Sequence, residues 1–473
     1  MGSAGSGRCR GLAPGALLLA YLALAIAYQR AVPLFEAPDE PSHVLYVAFL
    51  SSTGELPHMG KRRDVPGEGM EPPLYYTALA PLYAAISGYD PGLLDTLRQA
   101  SVWIYGLADW HNAPDDARIR MVEGKSRILR VDPSLDYLRA LRWGSLPFGF
   151  LAVLCTFAAT RRVSRSSAFP FLCTALFAFS PQILFVSAYV NNDVACAALG
   201  AAAFWLFAVA AERLRVSRGS YAAAAVLLAL GLATKHSALP ALAVTCLALF
   251  ALDPRPLRAR LPDAGLAALL ALVLALPTLL SNALRFGDPF GVSAVVESAD
   301  SMRGHGIFGG LLPYLRGFYL QTTFRSYWAT FGWMSVVGPD WLYLAFLTLC
   351  GLGALGFLLG WRTERRAQTA APPPDAAAAS ELRRIRVLRR YVLATALATV
   401  AAHLWINFQT IAAQGRHLFG AAPQIAALLA LGISSLGGGR AFALRWGSAV
   451  AVAAGMAATA VYCLTRMILP AYR

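Results

Sequence analysis

Long apolar runs, each closed by a short polar or arginine-bearing stretch, recur along nearly the whole chain. A helix needs roughly 20 mostly apolar residues to cross a hydrocarbon layer of about 30 Å. Such runs fall near residues 11–28, 138–160, 168–189, 194–211, 219–234, 237–252, 263–281, 341–361, 391–410, 418–437 and 446–467. The pattern predicts an all-α polytopic membrane protein with about 11 transmembrane helices and a long first extracytoplasmic loop. The first run follows Arg8 and Arg10 and is read as an anchor rather than a cleaved leader, because so many further runs follow it. A further apolar stretch, 72–88, is read as a short interfacial helix, because a crossing there would invert the charge pattern of every later connection.

Charge orients these runs. With the N-terminus inside, the inner connections carry Arg161, Arg162 and Arg165, then Arg213, Arg215 and Arg218, then Arg255, Arg258 and Arg260, and later Arg440 and Arg445. The longest inner connection, 362–390, holds Arg365, Arg366, Arg383, Arg384, Arg386, Arg389 and Arg390 around an Ala/Pro-rich linker. This is the excess expected of cytoplasmic loops. Three parts result: an N-terminal transmembrane catalytic module, 1–281, which includes the outward loop 29–137; a second long outward loop, 282–340; and C-terminal helices, 341–473, with the cytoplasmic linker 362–390. The plasma membrane is the expected location, with the chemistry on its extracytoplasmic face.

Composition agrees. Apolar residues make up 57% of the chain, charged residues 14%, and the mean hydropathy is +0.52, which excludes a soluble class. The net charge of +15 is divided among separate loops, so it marks topology and attraction to anionic membrane lipid, not a nucleic-acid partner. The 7 cysteines show no disulfide or zinc spacing, and the 7 histidines no paired-ligand motif. A dedicated metal site has no sequence support; assistance by a divalent ion is left open.

Chemistry is to be sought in the outward segments. Glu36-Ala37-Pro38-Asp39-Glu40-Pro41-Ser42-His43 places adjacent carboxylates at a membrane surface. Asp39 or Glu40 can cap the following helix, and Asp39 can also act as a general base, with His43 one turn on and on the same face. Met70-Glu71-Pro72-Pro73-Leu74-Tyr75-Tyr76 sets an acid on a stiff diproline. Asn191-Asn192-Asp193 is a polar turn between two spans, and Thr234-Lys235-His236 a turn short enough to hold Lys235 near the membrane. The chain has only three lysines, Lys61, Lys125 and Lys235, so one at that depth points to a role, with snorkelling as the alternative. Gln414-Gly415-Arg416-His417 offers a guanidinium fork suited to phosphate, or an interfacial anchor. The aromatic stretch Phe324–Trp333 is a headgroup belt or a surface for sugar or isoprenoid. Asp39, Glu71, Asp193, Lys235 and Arg416 come from five segments and are all predicted on one side, where a hydroxyl can lose its proton and a phosphate can leave.

With these residues, the chain resembles the GT-C membrane glycosyltransferases, especially the branch of protein O-mannosyltransferases and the lipid A aminoarabinose transferase. The carriers are Asp39-Glu40, Glu71-Pro72-Pro73-Leu74-Tyr75-Tyr76, Asp193, Gly231-Leu232-Ala233-Thr234-Lys235, Phe331-Gly332-Trp333 and Gln414-Gly415-Arg416-His417. The resemblance implies a polyprenyl-phosphate-linked sugar donor, a glycan, lipid or protein acceptor, and inversion by one displacement, with no cofactor assigned. By that resemblance Asp39, paired with Glu40, is catalytic and takes the acceptor proton. Lys235 and Arg416 hold the donor phosphate, Glu71 and Asp193 orient sugar or acceptor, and His43 and His417 line the same site. Glu71 stands where mannosyltransferases usually have histidine, and no separate lumenal domain is expected. A flippase for lipid-linked sugars, or a noncatalytic protein retaining the fold, is the alternative; the absence of paired midplane charges in matching repeats speaks against a transporter.

Overall fold

The computed structural model describes residues 5–58, 64–87, 92–104, 118–121, 129–164, 166–293, 308–369, 376–436 and 442–473. Seven of its helical segments are long and apolar enough to cross a membrane: Pro133–Val163, Asp193–Arg213, Leu257–Phe286, Asp340–Arg366, Ala379–Gln409, Gly415–Leu436 and Trp446–Tyr472. Four shorter apolar helices, Gly15–Ala31, Ala168–Ala178, Arg218–Thr234 and His236–Leu252, stand at the remaining predicted positions. The chain is thus an all-α polytopic membrane protein. The run 168–189 departs from expectation, because Pro181 interrupts it: α6 (Ala168–Ala178) ends before Ser180, and α7 (Pro181–Val186) starts anew with proline in its first turn.

The remaining helices are α1 (Gly5–Ala31), α2 (Glu40–Thr53), α3 (Leu74–Ser87), α4 (Leu93–Ile104), α5 (Leu146–Val163), α8 (Asp193–Arg213), α9 (Arg218–Thr234), α10 (Leu239–Leu252), α11 (Leu257–Phe286), α12 (Leu320–Trp328), α13 (Asp340–Thr369), α14 (Ala376–Gln409), α15 (Ala422–Leu436) and α16 (Phe442–Tyr462). α8 is central: 78% of its apolar window is buried, against α5, α9, α10 and α15. α11 is peripheral, with 17% buried, and it exposes Leu266, Leu269, Leu272 and Leu280. So continuous an apolar face is satisfied by lipid, not by water. The Tyr28 hydroxyl donates to the Ala460 carbonyl at 2.7 Å, fastening α1 to α16.

Among the described residues two hydrophobic cores are the largest. The first fills the helical bundle; the second lies within segment 29–137, where Leu34, Phe35, Val44, Tyr76, Leu97 and Leu138 pack together, and it meets the bundle through Val190 and Val194. α3 belongs to this second core. Its 14 residues reach about 21 Å and contain Pro81. Two antiparallel hairpins complete the segment and its neighbour, with Arg120 opposite Arg130 in β1–β2 (Ile119–Met121, Leu129–Val131), and Phe331 opposite Val336 in β3–β4 (Thr330–Phe331, Val336–Val337). Segments 29–137 and 282–340 are tied: Trp333 Nε1 donates to the Phe35 carbonyl at 3.0 Å, and Arg285 Nη2 donates to the carbonyls of Pro57 and Gly69 at 2.5 and 2.6 Å.

Candidate active site

Asp39 stands at the N-cap of α2 in the left-handed region, φ 62°, but its side chain caps nothing. That backbone turn separates it from its neighbour. Asp39 Oδ2 pairs with Nη2 of Arg416, whereas Glu40 turns into the protein and accepts from Arg142 Nε at 2.7 Å and Nη2 at 2.6 Å. Glu40 also accepts from the backbone N–H of Phe35 at 2.9 Å, and Arg142 donates to the carbonyls of Val32 and Pro33. Both side chains of this pair are 0% exposed. The adjacent acids thus have different surroundings: Asp39 in the charged cluster, Glu40 in a buried bridge that holds the start of α2.

Arg416 is carried on the 3₁₀ turn Gly415–Ala421, which enters α15. Glycines let that turn press inward. A Cβ on Gly415 would strike the backbone of Thr323 and Tyr327, and one on Gly200 of α8 the carbonyl of Gly420. The Gly415 N–H donates to Ser326 Oγ at 2.8 Å. Arg416 reaches Asp193 through Nη1 at 3.5 Å, and its Nε and Nη1 have no hydrogen-bond partner. These are unused donors on a nearly buried guanidinium, an arrangement that costs free energy until an acceptor arrives.

Asp193 begins α8, and the turn before it is closed by Asn191, whose Oδ1 accepts from the N–H of Asp193 at 2.9 Å and of Val194 at 3.2 Å. Asp193 Oδ1 lies 2.8 Å from Nζ of Lys235, which caps the end of α9 and also donates to Asn192 Oδ1 at 2.8 Å. Asn192 in turn donates through Nδ2 to Glu71 Oε2 at 2.8 Å. Asp39, Arg416, Asp193, Lys235, Asn192 and Glu71 therefore form one chain of contacts across five segments. The five predicted ionic residues meet. Asn192, the link to Glu71, lay within a recognised motif but had no assigned role.

Beside this chain, His43 lies 2.9 Å from the Tyr76 hydroxyl through Nδ1, and 4.0 Å from Glu68 Oε2. Burial, and then the positive charges of Lys235 and Arg416 against the opposing pull of Asp39, push His43 down to about 3. Glu68 goes the other way: burial first, then Asp39 and Glu71, raise it well above the usual carboxylate range. Sequence reasoning missed Glu68. Its one signal is the flanking Gly67 and Gly69, which allow a tight loop just ahead of Glu71. The His417 ring lies 5.7 Å from that of His403, whose Nδ1 is 3.1 Å from the Tyr319 hydroxyl, so it joins the site from the side of α14. Among the described residues no group of three or more His, Cys, Asp or Glu is placed to hold a metal ion.

The arrangement can take a proton on Asp39 and present cationic donors to an anion at the same place. No family model and no curated protein matches the chain. Solved structures show similarity of trace. ArnT from Cupriavidus metallidurans, bound to undecaprenyl phosphate, aligns with a TM-score of 0.46 at 13% identity, covering 96% of this chain and 73% of that one. The Archaeoglobus fulgidus oligosaccharyltransferase, tethered to an acceptor peptide, aligns with a TM-score of 0.48 at 14% identity over 95% of this chain. This chain covers 54% of that enzyme, about half its length. Both are GT-C enzymes.

Proposed function

We propose that the protein is a glycosyltransferase that moves a sugar from a polyprenyl-phosphate carrier to an acceptor hydroxyl on the extracytoplasmic face of the plasma membrane. The observation that carries this reading is Arg416: one edge of its guanidinium holds the carboxylate suited to act as base, while Nε and Nη1 make no hydrogen bond, Nη1 lying 3.5 Å from Asp193. A phosphate is the group that satisfies such a fork bidentately. When the donor phosphate binds Arg416 and Lys235, it competes with Asp39 for the guanidinium and frees that carboxylate beside the reacting centre. Asp39 then takes the acceptor proton as the acceptor oxygen attacks the anomeric carbon. The bond from that carbon to the phosphate oxygen breaks, and its electron pair leaves with the polyprenyl phosphate. Arg416 and Lys235 face the negative charge that grows there, where preorganised donors act most strongly. A phosphate leaving group needs little protonation, so one base suffices.

In this reading Glu71 and Asp193 orient sugar or acceptor, the former fixed through Asn192. His43 and His417 bound the same space. Glu40 positions Asp39 by anchoring the first turn of α2 on Arg142. The arginine-bearing loops, gathered at the opposite ends of the helices, support an outward-facing site.

The test compares lipid-linked sugars and envelope glycans by mass spectrometry in cells lacking the protein, rescued by wild type or by Asp39→Asn at matched expression. Wild type restores a glycan, and Asp39→Asn leaves its lipid-linked donor accumulating, with transfer reduced 10²-fold or more. Full rescue by Asp39→Asn contradicts a base at Asp39 and leaves carrier transport as the reading.

A further inference from the structure

A second concentration of unspent positive charge lies far from the site. α13 and α14 meet at their arginine-rich ends around an open pocket lined by Trp361, Glu364, Arg365, Arg386, Arg389 and Arg390. Four arginines against one glutamate leave three positive charges. Glu364 is already used, accepting from Arg386 Nε at 2.6 Å and lying 3.9 Å from Arg389 Nε.

Arg389 is the informative member. It is only 8% exposed, yet among its nitrogens Nε and Nη1 have no hydrogen-bond partner; Nη2 donates to Ser435 Oγ at 3.0 Å. Its placement is built in. A Cβ at position 360 would strike both Nη atoms, so Gly360 provides the bed on which the guanidinium lies. The Arg389 guanidinium carbon also sits 5.7 Å from the centre of the Phe357 ring. Arginine at the end of an apolar helix ordinarily snorkels its head into water. Here the head is held inside, with donors free, while Arg365 and Arg390 stand exposed at the rim.

We propose that this pocket is an anion site for a phosphate group, with Arg389 as its buried donor and Arg365, Arg386 and Arg390 as its wall. It lies where apolar helix gives way to charge, the depth at which lipid headgroups sit, and basic pockets between spans suit anionic headgroups. The same chemistry accepts free inorganic phosphate. The site is separate from the candidate active centre: Arg389 is 14 residues, about 21 Å along α14, from His403 beside His417.

The full chain, purified in nonionic detergent, distinguishes the sources. Native mass spectrometry measures retention of added phosphatidylglycerol against phosphatidylcholine, and thermal unfolding measures the response to inorganic phosphate against chloride at equal ionic strength. Arg389→Gln is compared with wild type, and a second protein, carrying Arg365→Gln with Arg390→Gln, keeps the buried contacts with Gly360 and Ser435. Preferential phosphatidylglycerol retention that falls roughly tenfold in the variants identifies a lipid headgroup. A shift with inorganic phosphate, lost in the variants without any lipid preference, identifies a soluble phosphate. If Arg389→Gln does not fold, the double variant decides by the same comparison. The proposal is overturned if wild type favours neither anion over its control, or if the folded variants bind as wild type does.

Discussion

The α10–α11 connection and the candidate active site handle charge in opposite ways. Between α10 and α11, Arg255 spends its guanidinium on structure: Nε and Nη2 donate to Asp253, at 3.0 and 2.6 Å, and Nη1 donates to Asp263 at 2.7 Å. Hydrogen bonds from Arg255 hold Asp253 down to about 2. Arg218, 85% exposed, adds a second contact to Asp263. In the candidate active site Arg416 is 8% exposed, shares itself between Asp39 and Asp193, and leaves Nε and Nη1 without a hydrogen bond. The partly exposed Arg255 is fully spent and fastens a connection, whereas the buried Arg416 is only partly spent. Coulomb attraction is screened in the first case and strengthened by the low dielectric in the second.

The largest expected contrast is structural. Arg142→Met strips a wholly buried carboxylate, Glu40, of its partner, a change that costs about 3–5 kcal/mol. The same substitution at the partly exposed Arg255 costs less, because the Tyr221 hydroxyl still donates to Asp253 at 3.1 Å. Thermal unfolding of both variants in one detergent checks this, and equal losses would show that the exposure of Arg255 makes no difference. Next comes function: Arg416→Lys keeps the charge but loses the fork, and transfer falls about 10²-fold while the unfolding midpoint stays near wild type. A lysine that works as well would reduce Arg416 to a point charge.

The smallest expected effect is with pH. His43 drops from an ordinary 6.5 to about 3 in the folded chain, under burial and then the positive charges of Lys235 and Arg416, against the opposing pull of Asp39 and Asp193, with Glu68 and the Tyr76 hydroxyl beside it. Its contribution to stability is complete above pH 6.5 and is lost as pH falls toward 3. Glu68, raised, acts with the reverse sign: its contribution is present at low pH and lost as pH rises through its folded value. The midpoint of His43→Gln therefore declines less than that of wild type between pH 6.5 and 4, and an unchanged slope would place the titration elsewhere.

Asp193, Lys235 and Arg416 were legible in the sequence because each interrupts apolar spans whose own pattern is strong, and arginine placement put them on one side. The residues that complete the site were less so. Glu68 looks like an ordinary loop acid until α2 folds over it, and Arg142 looks like an interfacial anchor at the foot of α5, although Glu40 consumes it. The pair Asp39-Glu40 was misleading for a backbone reason, since the left-handed turn at Asp39 sends neighbouring side chains to different surroundings. The break at Pro181 was visible in principle, but hydropathy alone carries no record of a missing N–H.

Asp39 and Arg416 are separated by 377 residues of chain. During synthesis the carboxylate, the α8 acid and Lys235 are all laid down long before the guanidinium that joins them, and α15 must be inserted before the cluster balances its charge. An interrupted or truncated chain therefore presents acids without their fork, so the charged cluster is completed only as α15 enters the membrane.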